Sequence, residues 1–356
     1  MTNLSSLRRG RWFNSTILKT SFSIIIFFSN TRLQQSFAHN QHLRSSSSSQ
    51  QQHENNQESI DALESYHRSL QISKPADRLP RPRPPQNFDV EPVMHTFYQR
   101  IDPKVHKKYG GMTDKSDSDL LLTWEAAWKA AGWKVRILTL EDAKSHPNYK
   151  RFDQLLDLDK MPFGYYDKLC FIRWLAMAAV GGGFMADYDT FPIRSFSKMK
   201  SMPRNGKLTV YDTVRQGGVP SVVSGSGDEF DRIAHSLLYN ALQVGVREEF
   251  WSDMLALMDV YQKDKDVYLL FDQVLKGNVA LEGVKKGLKS MRECKSVVGG
   301  NFAVHFSHFS ITTSVSRGFL SKEKGAADRS QIADDFLKEW AKSCPELLTQ
   351  KITIGG

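Results

Sequence analysis

This sequence predicts a single mixed α/β domain over residues 91–350, and three observations lead there. Strand-like and helical runs alternate before residue 190, the order that builds a sheet covered by helices. The chain closes on an amphipathic run, SQIADDFLKEW at 330–340, which reads as helix. Forty per cent of the residues are apolar and 11% aromatic, enough for a large core and far from the composition of a disordered chain.

The elements follow in order. VMHTFY at 93–98 comes just after a proline-rich stretch and reads as a first strand. DSDLLLTWEAAWKAA at 117–131 places Leu121, Trp124 and Trp128 at helical spacing behind an aspartate cap region, with Gly132 as the stop. The two tryptophans share a helical face, so they and Trp133 read as core. WKVRIL at 133–138 alternates as a second strand. Strand, helix, strand begins a βαβ sheet, whose ligands sit at the carboxyl ends of the strands. YYDKLCFIRWLAMAAV at 165–180 is a long apolar helix, charged only at Asp167, Lys168 and Arg173 and closed by Gly181-Gly182-Gly183. Phe184-Met185-Ala186 is then a short buried strand ending on Asp187-Tyr188-Asp189, and Pro192 is expected to stop the ladder. Further strands are expected at 209–211, 221–223 and 296–298, and helices near 228–244 and 248–262.

The first 90 residues are too polar and too Ser/Gln-rich to pack. Residues 1–38 combine a basic start, the apolar run FSIIIFF at 22–28 and Ser36-Phe37-Ala38, a small-x-small pattern like a signal-peptidase site. They read as a targeting segment, either a cleaved signal peptide or a short signal anchor. The apolar run falls short of the ~20 residues of a membrane-spanning helix, so any membrane association is expected through this end alone. An acid-free, Arg- and Ser-containing start also fits mitochondrial import. Residues 39–90 form a low-complexity tract followed by five prolines between 74 and 85, the composition of a stem.

Charge and cysteines narrow the function classes. Of the net +9, six positive charges lie in residues 1–53, which hold no Asp or Glu, leaving +3 elsewhere. The Lys107-Lys108 and Lys285-Lys286 pairs are isolated, so nucleic-acid binding is not expected. Cys170, Cys294 and Cys344 form no zinc-ligand spacing and allow one disulfide at most, its pairing open.

A lone Asp-x-Asp says little, and this chain has four: 117/119, 157/159, 187/189 and 264/266. The first lies at a helix start, the second in a polar loop and the fourth in a Lys/Asp-alternating run, all ordinary places for solvated carboxylates. Only Asp187 and Asp189 end a buried strand. Carboxylates there lose hydration unless a cation meets them. Two such groups at i and i+2 can hold a hard divalent ion, Mn²⁺ or Mg²⁺, that also grips the phosphates of a nucleotide diphosphate.

The stretch KLCFIRWLAMAAVGGGFMADYDTFPI, residues 168–193, resembles the glycosyltransferases whose sugar-binding region contains a DXD motif, the group of the initiating α-1,6-mannosyltransferases. The resemblance extends weakly to 95–98 and 124–138. It implies a GT-A-type fold and hexose transfer, with retention, from a nucleotide-sugar to a glycan or glycoprotein acceptor. Together with the basic, apolar and small-residue order of residues 1–38, this places the expected sugar-nucleotide enzyme in the secretory pathway, in the Golgi lumen, with mitochondrial import as the alternative. Carried over by position, Asp187 and Asp189 match the DXD pair, with Tyr188 between them at the donor, and Arg173 matches a helix arginine directed toward the nucleotide-sugar. This chain departs from the pattern at Cys170, where family members place Asp three residues before that arginine, so donor identity does not transfer.

Other candidates carry weaker signals. His305 in NFAVHFSHF matches a late histidine that many GT-A enzymes use as a further metal ligand; a satisfied core histidine explains it nearly as well, and His308 is its alternate. Asp272 resembles a late acidic position at the reacting centre, or caps a helix. Lys168 and Arg173 could reach phosphate, or lie on the wet face of their helix. A haloacid-dehalogenase-type phosphatase is the rival enzyme, since Asp187-Tyr188-Asp189 and Asp334-Asp335 resemble its acidic motifs. Phe191 and the helical reading of 330–340 count against it. A catalytically silent sugar- or nucleotide-binding module is the rival of another class.

Overall fold

The computed structural model describes residues 92–352, apart from 107–110, 158–160, 162, 197–201, 215–216, 289 and 350. The targeting segment at 1–38 and the stem at 39–90 lie outside the described residues, as does the second aspartate of the 157/159 pair. By internal contacts the chain divides after Glu64, and every described residue belongs to the second unit.

Three parallel strands form first. β1 (Val93–Phe97) leads to α1 (Asp114–Ala130), whose start is a capping box in which Thr113 accepts from the Ser116 amide and the Ser116 hydroxyl accepts from the Thr113 amide. The helix stops at Gly132, where φ is +94°. β2 (Lys134–Leu138) runs parallel to β1 on one side. Two short helices, α2 (Leu140–Lys144) and α3 (Tyr149–Leu155), precede the apolar α4 (Tyr165–Ala179). β3 (Gly182–Ala186) then returns parallel to β1 on its other side. The carboxyl ends of β1, β2 and β3 therefore share one edge, and Asp187 leaves the sheet there. Glycine is required at the start of β3: a Cβ on Gly182 would lie 2.4 Å from the Gly225 carbonyl oxygen.

Next come β4 (Thr190–Pro192), β5 (Thr209–Val214), β6 (Gly217–Ser226), α5 (Gly227–Gln243), α6 (Asp253–Lys263), β7 (Leu269–Leu270) and β8 (Val274–Lys276). The chain finishes through α7 (Gly277–Lys286), α8 (Met291–Val298), β9 (Ala303–His305), α9 (His308–Ser316), α10 (Arg329–Ser343) and α11 (Pro345–Thr349). The main sheet has the order β2-β1-β3-β6-β5-β7, and a second sheet the order β4-β9-β8. β6 is antiparallel to both β3 and β5 while β7 is parallel to β5, so the central sheet is mixed, as the sequence predicts.

Two features of these strands shape the site. The β5–β6 register shifts between Val210 and Asp212, and Pro220 sits in the widened part of β6, where the missing amide costs no ladder bond. This irregularity sets the Ser221 hydroxyl 2.6 Å from the Asp212 carboxylate. Pro192 is the last residue of β4, so the ladder stops there, as the sequence predicts. After β3 the chain leaves the main sheet and pairs at once with β9, and as an edge strand β4 tolerates a proline.

Beneath the sheets, the Trp133 ring packs edge-on to Phe184 at 5.0 Å and to Phe196 at 4.9 Å, and Trp124, Trp128 and Trp133 are all core, as read from their spacing. Residues 296–298 are not a strand. They close α8, capped by Ser290 and burying Cys294 and Val298 four residues apart on one face, so helical amphipathicity overrides local β preference. α6 begins at Asp253, later than expected, because Ser252 caps it. A disulfide joins Cys294 of α8 to Cys344 at the end of α10, leaving Cys170 as the free thiol.

Candidate metal centre

The turn after β3 is set by backbone bonds. The Asp187 amide donates to the Ser221 carbonyl of β6 at 2.9 Å, and the Thr190 amide turns back to the Asp187 carbonyl at 2.9 Å. β4 then pairs with β9 so that Thr190 stands opposite His305, and the Phe306 amide donates to the Asp189 carbonyl at 2.9 Å. This register carries a residue from far along the chain onto the Asp-x-Asp turn. One ligand atom from each of Asp187, Asp189 and His305 lies within 4.8 Å of the others, the one such group found among the described residues.

Each of the three is held from behind. Arg173 of α4 donates through Nη1 to Asp187 Oδ1 and through Nε and Nη2 to Asp253 Oδ2, at 3.0 and 2.7 Å. Asp253, first residue of α6 and 3% exposed, also accepts from the Trp174 indole at 2.9 Å. Arg329, first residue of α10, donates through Nη1 to Asp189 Oδ2 and through Nε to the Ala326 carbonyl at 3.1 Å. His305 Nδ1 donates to Asp212 Oδ2 at 3.0 Å, while Nε2 faces Asp189 Oδ1 at 3.5 Å. A carboxylate behind a histidine in this way fixes the tautomer and aims the other nitrogen, the arrangement that supports a metal ligand.

The electrostatics follow from burial against charge. Burial pushes the Asp187 carboxyl up, and the Arg173 guanidinium opposes it only in part. Burial pushes Asp189 the same way, but Arg329 and His305 outweigh it and hold the group down at about 2. Burial alone would lower His305; the carboxylates of Asp189 and Asp212 prevail and raise it well above the usual histidine range. With His305 neutral, the carboxylates of Asp187, Asp189, Asp212 and Asp253 exceed the guanidiniums of Arg173 and Arg329 by two charges. Two carboxylates, an imidazole and that charge deficit suit a hard divalent cation such as Mn²⁺ or Mg²⁺.

Of the residues singled out from sequence, Asp187, Asp189, His305 and Arg173 come together. Tyr188, between the aspartates, turns its ring edge-to-face against Tyr98 at 6.0 Å. Lys168 is not at the group: its ammonium bonds the Asp153 carbonyl at 2.8 Å and carboxylate at 2.7 Å, which ties α4 to α3. Asp272 is exposed in the loop between β7 and β8, accepting from the Thr213 hydroxyl at 3.0 Å. It caps no helix, since α7 starts after Lys276, and it does not join the three-residue group. His308 is exposed at the start of α9, and Asp334 and Asp335 lie on α10, bonded to Lys338 and Gln331.

Sequence reasoning missed Asp212, Asp253 and Arg329. Ser252-Asp253 carries the signature of a helix start, and nothing local marks the carboxylate as an arginine's partner. Asp212 sits in the strand TVYDTV, where a single charged residue among uncharged ones was a usable signal.

A family model described as a domain of unknown function, DUF8765, matches residues 84–243, which take in both aspartates and Arg173 but neither His305 nor Arg329. No curated protein matches the chain. Among solved structures it is similar to the apo form of the glycosyltransferase GlyE of Streptococcus pneumoniae TIGR4, at a TM-score of 0.37 and 8% identity over 72% of this chain and 63% of that one. The chain thus spans less than two thirds of that protein. It is also similar to the PaToxG glycosyltransferase, at a TM-score of 0.29 and 10% identity over 81% and 97% of the two chains. At TM-scores this low neither likeness bears on the chemistry of the site.

Proposed function

We propose that this chain is a divalent-metal-dependent glycosyltransferase of GT-A type that moves a hexose from a nucleotide-sugar to a hydroxyl of a glycan or glycoprotein, with retention at the anomeric carbon. One observation carries the reading: the convergence of Asp187 and Asp189 at the carboxyl edge of the parallel strands with His305 from the second sheet, each held by its own partner. Asp187 Oδ2, Asp189 Oδ1 and His305 Nε2 are the atoms that would face the ion. The ion, when bound, supplies positive charge beside the oxygens on which charge develops as the diphosphate departs. Arg173 and Arg329 each engage one oxygen of a carboxylate, which leaves the other for an ion, and Asp212 keeps the His305 proton on Nδ1. The mixed sheet, with a βαβ start and ligands at its switch edge, agrees with this reading.

A Golgi setting belongs to the same proposal. It is supported by the order of basic, apolar and small residues before residue 39 and by the Cys294–Cys344 disulfide, which suits an oxidising compartment.

The test is turnover of the purified chain on a panel of nucleotide-sugars, with Mn²⁺ or excess EDTA, followed by the anomeric configuration of any product. Asp189→Asn and Asp187→Asn are expected to lower turnover about a thousandfold or more, the several kcal/mol that an ion beside a leaving diphosphate contributes. Full turnover in EDTA would sink the proposal, and a donor panel bound but never cleaved would favour a silent binding module.

A further inference from the structure

We propose that Arg329 contacts the diphosphate of the donor directly, so that the C-terminal helix α10 supplies a binding residue to the site. This deepens, and rests on, the reading of the site as a metal–diphosphate centre. Arg173 and Arg329 are the guanidiniums that meet its aspartates, and they differ in what their nitrogens already hold. Every nitrogen of Arg173 faces a carboxylate: Nη1 that of Asp187, Nε and Nη2 that of Asp253. Arg329 gives Nη1 to Asp189 and Nε to the Ala326 carbonyl, and among the described residues its Nη2 has no hydrogen-bond partner. That nitrogen is not one of the sealed polar atoms, although the side chain as a whole is only 10% exposed.

A guanidinium held by two of its nitrogens with the third open presents a fixed donor edge, the geometry that recognises phosphate. The edge is well anchored. Ser330, next in the chain, donates to the Asp119 carbonyl at 3.1 Å and bonds the Thr123 hydroxyl at 2.8 Å, which pins the start of α10 to α1. Asp189 is the carboxylate that neutralises Arg329. A dication drawn to Asp189 weakens that neutralisation and faces a buried positive charge. An anion between the two restores the balance, so the ion and the diphosphate should each raise the other's affinity.

The experiment uses the full chain, with inorganic diphosphate as probe by calorimetry in the presence of Mn²⁺ and Mn²⁺ alone by EPR. Arg329→Lys keeps the charge beside Asp189 but has a single nitrogen, which Asp189 engages. It is expected to fold, to bind Mn²⁺ alone as the parent does, and to lose diphosphate affinity about tenfold or more, the scale of one hydrogen bond to a charged group. Arg329→Gln should lose at least as much. A merely structural arginine would be rescued by lysine, so parent-like diphosphate affinity in Arg329→Lys would overturn the proposal. A proportional loss of Mn²⁺ and diphosphate would overturn it too, by making Arg329 only a support for Asp189. A parent protein that takes up diphosphate equally with and without Mn²⁺, or neither ligand at all, would overturn the metal–diphosphate reading itself before any variant is compared.

Discussion

Replacing Asp253 by Asn tests whether the site is braced as the geometry implies. Asp253 is 3% exposed, and one of its oxygens accepts from Arg173 Nε, Arg173 Nη2 and Trp174 Nε1, at 3.0, 2.7 and 2.9 Å. Asparagine keeps the shape and one carbonyl oxygen, so the indole bond can persist. It removes the charge, leaving the buried Arg173 with Asp187 as its remaining carboxylate. Breaking a buried pair outright costs about 3–5 kcal/mol, and a hydrogen bond to a charged group contributes about 1.5–3 kcal/mol. The isosteric change should therefore destabilise by about 2–3 kcal/mol, and Asp253→Ala by more, because Ala leaves three buried N–H groups without an acceptor. With a urea dependence near 3 kcal/mol per molar, the midpoint of unfolding falls by roughly 1 M. Near-UV circular dichroism of the buried tryptophans reports the transition. A midpoint within about 0.2 M of the parent would show that Asp253 does not hold Arg173, and the account of how Asp187 is positioned would fall with it.

Three further outcomes are expected. The raised pKa of His305 in the metal-free protein means that a proton must leave Nε2 before the ion binds, so Mn²⁺ affinity should climb about tenfold per pH unit through neutrality. A flat profile by EPR titration would contradict the ligand role. Burial raises the Asp167 carboxyl to about 6, so its contribution to stability is present below the unfolded value near 3.8 and is lost as pH rises through about 6. Asp167→Asn, which can still accept from the Gly164 amide, should therefore raise the melting temperature at pH 7.5 by an amount worth up to about 3 kcal/mol and change little at pH 4; equal melting at both pH values would argue against a buried acid. The Cys294–Cys344 bridge closes a sequence separation of 50, so the Cys294→Ser, Cys344→Ser double variant should lose roughly 4 kcal/mol on the chain-entropy model. Unchanged thermal unfolding would show that the bridge does not constrain the unfolded chain.

Much of this molecule was legible in order along the chain. Periodicity located β1, α1, β2, α4, β3, α5 and α10 because each is amphipathic or uniformly apolar over a length typical of its type. It failed at 296–298, where two valines with β preference belong to a helix whose buried face is visible only once Cys294 and Val298 are seen packed. Pro192 marked the end of a strand correctly, but that 190–192 forms the edge of a second sheet against β9 is visible only in the folded chain.

The site divides the same way. By itself the sequence determined that a pair of aspartates leaves a buried strand behind a helix carrying Arg173, since desolvation at such a strand end is a local property. Which charges meet those aspartates was decided only in three dimensions. His305 arrives through the pairing of β4 with β9, Asp212 through the irregular register of β5 and β6, and Asp253 and Arg329 from the first residues of α6 and α10. None of these lies within a helical turn or a strand repeat of Asp187, and sequence periodicity is blind beyond that range. Lys168 shows the converse. It stands five residues before Arg173 on the same helix, yet its ammonium is tied to Asp153 on α3, because a helix rotates successive side chains to different neighbours and only the packed structure says which neighbour each one meets.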